Sequence, residues 1–141
     1  GMVACCDLAL AVEDAGFAFS EVRLGLVAAV IAPYVIQAIG PRNARRLMLT
    51  GEPFGPQQAL DMGLVTEVVQ AGGEDVVLER DIAHLLAGSA LAQGETKEML
   101  RHYQDQVDGQ LDYSARLTSR VRASEDALGR MRQFLQQKGR R

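Results

Sequence analysis

Apolar residues fill the first part of the chain almost without a break, and further along they recur at helical spacing. Residues 3–12 are nearly all apolar, which predicts a buried parallel strand. The apolar segment 17–19 predicts a short second strand, and the branched residues of 64–69 predict a third. Residues 20–25 place charged side chains between apolar ones and are typical of a loop.

Proline and glycine mark the ends of the helices that we expect in the middle of the chain. Proline suits the first turn of a helix, where its missing N–H costs nothing, and glycine suits the left-handed residue that follows a helix. These signals predict three short helices, over residues 33–39, 42–49 and 56–62, which end at Gly40, Gly51 and Gly63.

Helical spacing continues from Gly72 to the end of the chain. A helix is predicted before Gly88, with an apolar face that consists of Val76, Ile82, Leu85 and Leu86. Three more helices are predicted at about 90–105, 112–122 and 125–138. Ser124 is a suitable N-cap for the last of these, whose apolar stripe consists of Leu128, Met131, Phe134 and Leu135.

The composition indicates one soluble globular domain. With 141 residues, 48% of them apolar and 23% charged, the chain is long enough to bury a core. The longest apolar run, 24–36, contains Gly25 and Pro33 and is shorter than the roughly 18–20 residues of a membrane-spanning helix. We therefore expect no membrane partner, and without a charged leader or an Arg-rich targeting segment we expect a cytoplasmic location.

Cys5 and Cys6 are adjacent in the sequence. Neighbouring side chains on a strand point to opposite faces, so a disulfide between the two is not expected. Within the predicted strand they are expected to be structural core thiols, and reactive thiols are the alternative. His84 and His102 stand apart from other metal ligands, so no metal site is predicted.

Basic residues concentrate at the end of the chain. Residues 115–141 carry eight Lys and Arg against two Asp and Glu, whereas the whole chain has a net charge of −3. This segment is either a solvated helix face or a contact with an anionic ligand such as a phosphorylated cofactor. Nucleic acid is not an expected partner, because the chain is acidic overall and its basic segment lacks interleaved aromatic residues.

Seven sequence blocks, in order along the chain, resemble the enoyl-CoA hydratase/isomerase (crotonase) superfamily. They read ACCDLA (4–9), FAFSEVRLG (17–25), AIG (38–40), LTGE (49–52), ALDMGLV (59–65), SEDA (124–127) and FL (134–135). In that family, a strand ending in Cys-Asp precedes an Ala-x-Phe turn and a Pro-Glu-x-x-Leu-Gly motif. Residues 3–7 and 20–22 are most similar to methylglutaconyl-CoA hydratases of leucine breakdown. The resemblance implies an α/β, crotonase-like fold with a few short strands first and mainly helices afterwards.

The resemblance identifies the sequence with the C-terminal half of a longer family chain. Upstream, the family carries an Ala-Gly-Ala-Asp type segment and a Gly-Gly-Gly turn, whose backbone amides hold the thioester oxygen. Neither segment is present in this sequence, and Gly1 stands where hydratases with two carboxylates have their first Glu. We therefore expect a truncated form with little activity alone, which leaves open whether the chain acts as an enzyme.

The resemblance also implies the site residues. Glu21 matches the Glu of the second carboxylate motif and is the expected catalytic residue, since desolvation among apolar neighbours suits a carboxyl group to proton transfer. The substrate implied is a coenzyme A thioester, with no covalently bound cofactor. Its other expected contacts are Ala29, Leu24, Gly25, Phe134 and Lys138. For Phe134 plain core packing is the alternative, and for Lys138 a solvated position.

The expected function is therefore hydration of a branched 2-enoyl-CoA thioester, of the methylglutaconyl-CoA type. The alternatives are a non-catalytic helical oligomerisation module or, if the protein is complete, an enoyl-CoA isomerase. Family members assemble as trimers or hexamers through their C-terminal helices, and an unpaired strand over 3–12 would also favour a homo-oligomer. We divide the chain into a portion of the crotonase core, 1–70, and a helical oligomerisation or lid region, 71–141.

Overall fold

Two short parallel strands and six helices form the fold in the computed structural model, which describes residues 1–104 and 108–138. Strand β1 (Leu10–Val12) pairs with β2 (Glu67–Val69), and Ala11 lies opposite Val68. The helices are α1 (Ala32–Thr50), α2 (Pro56–Asp61), α3 (Glu74–Ala87), α4 (Ala90–Gln104), α5 (Asp108–Arg122) and α6 (Glu125–Lys138). The predicted α/β class, with strands early and helices late, is confirmed.

The first strand is shorter than the apolar run predicts. Val3–Cys5 form a 3₁₀ helix, in which the amide of Cys5 donates to the Met2 carbonyl at 3.0 Å. A strand needs a hydrogen-bonding partner along its whole length, and the partner strand β2 has only three residues. The turn leaves both thiols exposed, so the prediction that Cys5 and Cys6 are core thiols is wrong.

Thr66 and Ala9 fix the register of the two strands. The amide of Thr66 donates to the Ala9 carbonyl at 2.7 Å, and the Thr66 hydroxyl donates to the same oxygen at 2.8 Å. The Thr66 hydroxyl oxygen also accepts from the amide of Ala9 at 3.1 Å. One side chain therefore satisfies the backbone at the point where β1 and β2 begin.

The predicted strand over 17–19 is reduced to a single antiparallel bridge. Phe17 and Phe54 exchange backbone hydrogen bonds of 3.0 and 2.9 Å, and their rings stack with centroids 5.5 Å apart. The ring of Phe19 lies 5.8 Å from that of Phe54. This aromatic cluster packs immediately before Ser20–Leu24, which form a 3₁₀ helix rather than the predicted loop.

Helix α1 contains the break predicted at Gly40. That residue has φ 74° and ψ 159°, so two helical halves meet at a kink. Gly51 ends the second half in a left-handed conformation, with φ 62°. The side chains of Val35 and Leu47, one from each half, are fully buried. Both halves therefore contribute to the same core.

The helices after Gly72 occupy the predicted positions, but much of their apolar surface is exposed. In α3 no residue is buried, and Val76 and Leu86 are 72% and 79% exposed. Leu135 on α6 is 66% exposed. The amphipathic spacing is therefore present, but it does not indicate how much of these apolar faces stays exposed within the described residues.

Polar contacts connect α3 and α4 to the strand region. Arg80 on α3 makes hydrogen-bonded ion pairs with Glu67 on β2 and with Asp81, and these carboxylates raise the Arg80 pKa above its usual value. Lys97 on α4 pairs with Asp7 at 2.5 Å. Among the described residues, no helix combines the length and hydropathy needed to cross a bilayer.

Candidate functional site

Glu21 lies on the 3₁₀ helix Ser20–Leu24, between the aromatic cluster and α1. Gly25 closes this turn with φ 69°, and the Glu21 carbonyl accepts a hydrogen bond from the amide of Leu26 at 3.0 Å. The turn also rests on the end of α1. A Cβ atom on Gly51 would lie 3.1 Å from the Arg23 side chain and 3.2 Å from that of Val22. The turn that carries Glu21 is therefore capped by Gly25 at its end and lies next to the end of α1.

Glu21 and Ala29 line the same cavity, which has a volume of about 240 Å³. The cavity walls are apolar and come from three parts of the chain: Val22, Leu26, Val27, Ala28, Ala32, Met48, Leu49 and Leu117. Among these lining residues Glu21 is the only ionisable one. A single carboxylate beside an apolar cavity can give or take a proton at an apolar ligand that the cavity holds.

A second cavity, of about 410 Å³, lies on the other side of the Glu21 turn. It separates the turn from α6, and its lining residues are Ser20, Arg23, Leu24, Arg130, Gln133, Phe134 and Gln137. Two guanidinium groups, a hydroxyl and two amides supply many hydrogen-bond donors, and Phe134 supplies a flat apolar surface. This combination suits a ligand that carries both an anionic group and a planar or apolar part.

The structure brings the predicted site residues together in two pairs. Glu21 and Ala29 share the smaller cavity, and Leu24 and Phe134 share the larger one. Gly25 lines neither of these two cavities and acts as the cap of the turn between them. Lys138 is the last residue of α6, but its side chain lies outside the described residues.

Arg23, Arg130 and Leu117 are among the lining residues that were not predicted as site residues from the sequence. Arg23 and Arg130 both line the larger cavity, whereas the sequence shows only a basic segment and a charged residue in a predicted loop. Leu117 reaches the smaller cavity from α5. It is 96 positions away from Glu21, and nothing in the spacing of apolar residues indicates which helix packs against this turn.

No group of three or more His, Cys, Asp or Glu side chains that could hold a metal ion occurs within residues 1–104 and 108–138.

Comparison with known proteins gives a consistent result. A family model described as Enoyl-CoA hydratase/isomerase matches residues 1–139. The peroxisomal Delta(3,5)-Delta(2,4)-dienoyl-CoA isomerase of Arabidopsis thaliana is 33% identical over 131 residues, which is 89% of this chain and 46% of the relative. The mitochondrial enoyl-CoA hydratase domain-containing protein 3 of Mus musculus is 33% identical over 97 residues, 67% of this chain and 32% of the relative.

Solved structures extend the match to the fold. An enoyl-CoA hydratase from Mycobacterium avium aligns with a TM-score of 0.89 at 26% identity, over 96% of this chain and 54% of that one. The chain thus spans about half, or less, of the length of the proteins it matches.

Proposed function

Because the chain belongs to the enoyl-CoA hydratase/isomerase family, we propose that its Glu21 cavity takes the acyl group of a branched 2-enoyl-CoA thioester and that Glu21 transfers a proton during hydration. The observation that carries this proposal is the placement of Glu21 and Ala29 on one apolar cavity. The methylglutaconyl-CoA type of substrate, an intermediate of leucine breakdown, rests on the resemblance of residues 3–7 and 20–22.

Hydration adds water across the double bond next to the thioester. The oxygen of water forms a bond to Cβ, the π electrons move toward the thioester carbonyl, and a proton then reaches Cα. An apolar cavity excludes competing water, and a carboxyl group at its wall can move one of the two protons. The larger cavity, with Arg23, Arg130 and Phe134, would hold the charged coenzyme A portion of the same substrate.

The proposal includes a low activity for the 141-residue chain by itself. Its sequence contains no Gly-Gly-Gly turn and no Ala-Gly-Ala-Asp segment, which the family resemblance gives as the sources of amides for the thioester oxygen. Removing even one donor of this kind typically lowers kcat by about 10²–10³ fold. We therefore expect the isolated chain to bind an enoyl-CoA without turning it over at a significant rate.

The first experiment combines calorimetric binding of 3-methylcrotonyl-CoA with the absorbance of its conjugated double bond. We expect saturable binding that free coenzyme A weakens, and a constant absorbance. Absence of binding to any acyl-CoA would overturn the substrate class. A steady loss of absorbance that Glu21→Gln abolishes would overturn the low activity while supporting the role of Glu21.

The role of Glu21 is tested directly in a fusion that supplies the upstream segments of a related hydratase. We expect the fusion to hydrate enoyl-CoA and Glu21→Gln to lower its kcat by about 10²–10⁴ fold, as for other general acid–base residues. The matched control is Glu95→Gln, which alters an exposed carboxylate on α4. Equal loss in both variants, or in neither, would contradict the assignment.

Isomerisation of an enoyl-CoA is the second candidate reaction. Two observations favour it: Glu21 is the only ionisable residue among those lining its cavity, and the Arabidopsis thaliana relative is named an isomerase. Moving a double bond from the 3 to the 2 position creates conjugation, so the absorbance rises, whereas hydration makes it fall. The sign of the change in the fusion protein therefore separates the two reactions.

A non-catalytic role in assembly is the third candidate. The exposed apolar residues of α3 and α4 support the proposal that the chain forms a homo-oligomer, a trimer or a hexamer, through its helical part. This role and the catalytic one are compatible, because the Glu21 cavity is lined by residues outside these two helices.

A further inference from the structure

The first 3₁₀ helix presents two neighbouring thiols to solvent. Cys5 and Cys6 are both exposed free cysteines. The Cys5 thiol donates to the Gly1 carbonyl at 3.5 Å, and the Cys6 thiol donates to the Met2 carbonyl at 3.4 Å. Because these carbonyls are consecutive and Met2 has helical dihedral angles, φ −58° and ψ −41°, the two sulfurs lie toward the same end of the turn.

A disulfide is a poor product for this pair. The peptide bond between Cys5 and Cys6 is trans, which fixes their Cα atoms about 3.8 Å apart. Disulfides usually span Cα distances of about 4.4–6.8 Å, and shorter spans store strain. The pair therefore favours two separate thiols over a disulfide, which leaves both sulfurs able to bond to one ligand atom that lies between them.

The number of available ligands near Cys5 and Cys6 restricts which atom could bond to both sulfurs. A structural zinc ion takes four ligands, and no cluster of three or more candidate metal ligands includes these cysteines in the described part of the chain. A trivalent organoarsenic centre needs only two sulfurs, because its third bond is already made to carbon. We propose that Cys5 and Cys6 form a capture site for trivalent organoarsenicals.

The reaction balances without an oxidant or a reductant. A hydrated arsenical, R–As(OH)₂, meets two thiols; two As–S bonds form while two As–O and two S–H bonds break, and two water molecules leave. Arsenic stays trivalent and both sulfurs keep their oxidation state. The second As–S bond forms within one molecule, so the pair should hold arsenic about 10²–10⁴ times more tightly than one thiol does.

The fold allows this reaction without disturbing the core. Val3 and Ala4, on the same turn, pack against the core, so the turn is anchored while the thiols stay outside. Neither cysteine lines the Glu21 cavity or the Arg23 cavity. The proposed thiol site is therefore independent of the proposed function, and a negative result for one proposal does not affect the other.

The test treats the full 141-residue chain with phenylarsine oxide and measures intact mass. We expect one adduct per wild-type chain, which survives excess 2-mercaptoethanol and is removed by a dithiol. Cys5→Ser and Cys6→Ser should each retain the arsenical at least about 10² fold more weakly, and the double variant should not bind it. Unchanged urea midpoints in all variants would show that the fold is intact.

Two results would overturn the inference. One is retention by a single-cysteine variant that equals retention by the wild type, because one thiol would then suffice. The other is rapid closure of a Cys5–Cys6 disulfide in hydrogen peroxide, seen by non-reducing peptide mapping, because the geometry would then not keep the thiols apart.

Discussion

At the scale of single residues, the candidate site depends on a few positions where the backbone conformation leaves little choice. Gly51 is one of them, since it ends α1 with φ 62° and supports the side chains of Arg23 and Val22. A side chain at this position would be strained by the left-handed backbone and would also push against the Glu21 turn. The stability of the fold and the position of Glu21 are thereby linked.

We expect Gly51→Ala to destabilise the protein by about 1–2 kcal/mol, the usual cost of a left-handed residue with a Cβ atom. Urea unfolding, followed by circular dichroism, measures the change. The matched control is Gly129→Ala in α6, where a Cβ atom would have open space around it. Because Gly129 is helical, Gly129→Ala should instead raise the free energy of unfolding by about 0.5–1 kcal/mol. A loss in both variants would contradict the argument.

Arg130 has a predicted effect on binding rather than on stability. It lines the larger cavity together with Arg23 and Phe134, where an anionic group of a ligand would lie close to both guanidinium groups. We expect Arg130→Gln to weaken coenzyme A binding a few-fold, or about 1 kcal/mol, because the site is open to solvent.

The control for this prediction is Arg132→Gln, on the same helix but outside the residues that line the cavity. Calorimetry at low and high salt compares the two variants. The effect of Arg130→Gln should shrink as salt screens the charge. Equal weakening by both substitutions would mean that the general charge of α6, and not the cavity, attracts the ligand.

At the scale of elements, the sequence predicts helix ends well and strand lengths poorly. The kink at Gly40, the left-handed cap at Gly51 and the N-cap at Ser124 were all predicted, because each depends on residues within one turn of the helix. The extent of β1 and the exposure of the α3 face depend on what lies opposite them. That information is distributed over distant parts of the chain, and apolar spacing alone does not contain it.

The same distinction applies to the candidate site. Glu21 and Ala29 are eight positions apart, the family resemblance gives both as expected site residues, and both line the smaller cavity. The resemblance gives Leu24 and Phe134 separately as expected substrate contacts, and both line the larger cavity. Arg130 and Leu117 did not follow from the resemblance, because they reach the site only through the packing of α5 and α6 against the early part of the chain.

The start of α6 offers a prediction at this scale. The Ser124 hydroxyl accepts a hydrogen bond from the amide of Ala127 at 3.2 Å, and Ala127 is fully buried. We expect Ser124→Ala to cost about 1 kcal/mol, as measured by urea unfolding, and to loosen the helix that carries Phe134.

A variant that restores the N-cap acceptor shows whether the loss of stability in Ser124→Ala comes from the missing hydrogen bond or from removal of the side chain in general. Ser124→Asp supplies another good N-cap acceptor and should recover most of the stability. If the Asp variant were as unstable as the Ala variant, the hydrogen bond to Ala127 would not be the cause.

At the scale of the whole molecule, the most prominent feature is the number of large apolar side chains that remain exposed on α3 and α4. Val76, Leu86 and Leu91 lie on neighbouring helices and are 72%, 79% and 76% exposed. Large exposed apolar areas mark interaction sites in proteins that are stable in water. We therefore expect light scattering to give a mass that is a multiple of 15.3 kDa.

A triple variant, Val76→Gln, Leu86→Gln and Leu91→Gln, should shift the protein to the monomer. The control, Glu79→Gln with Glu95→Gln, changes exposed residues of the same two helices and should leave the assembly unchanged. A wild-type chain that is monomeric at all concentrations would contradict the prediction.

The hydrogen bonds between Thr66 and Ala9, which fix the register of β1 and β2, have a consequence for the order of folding. The two residues are 57 positions apart, and α1 and α2 lie in the chain between them. Helices form from local contacts, whereas a ladder between distant strands must wait until the loop that separates them has closed. We therefore expect the pairing of β1 with β2, two strands of three residues each, to set the rate of folding, and not the formation of the helices that make up most of the fold.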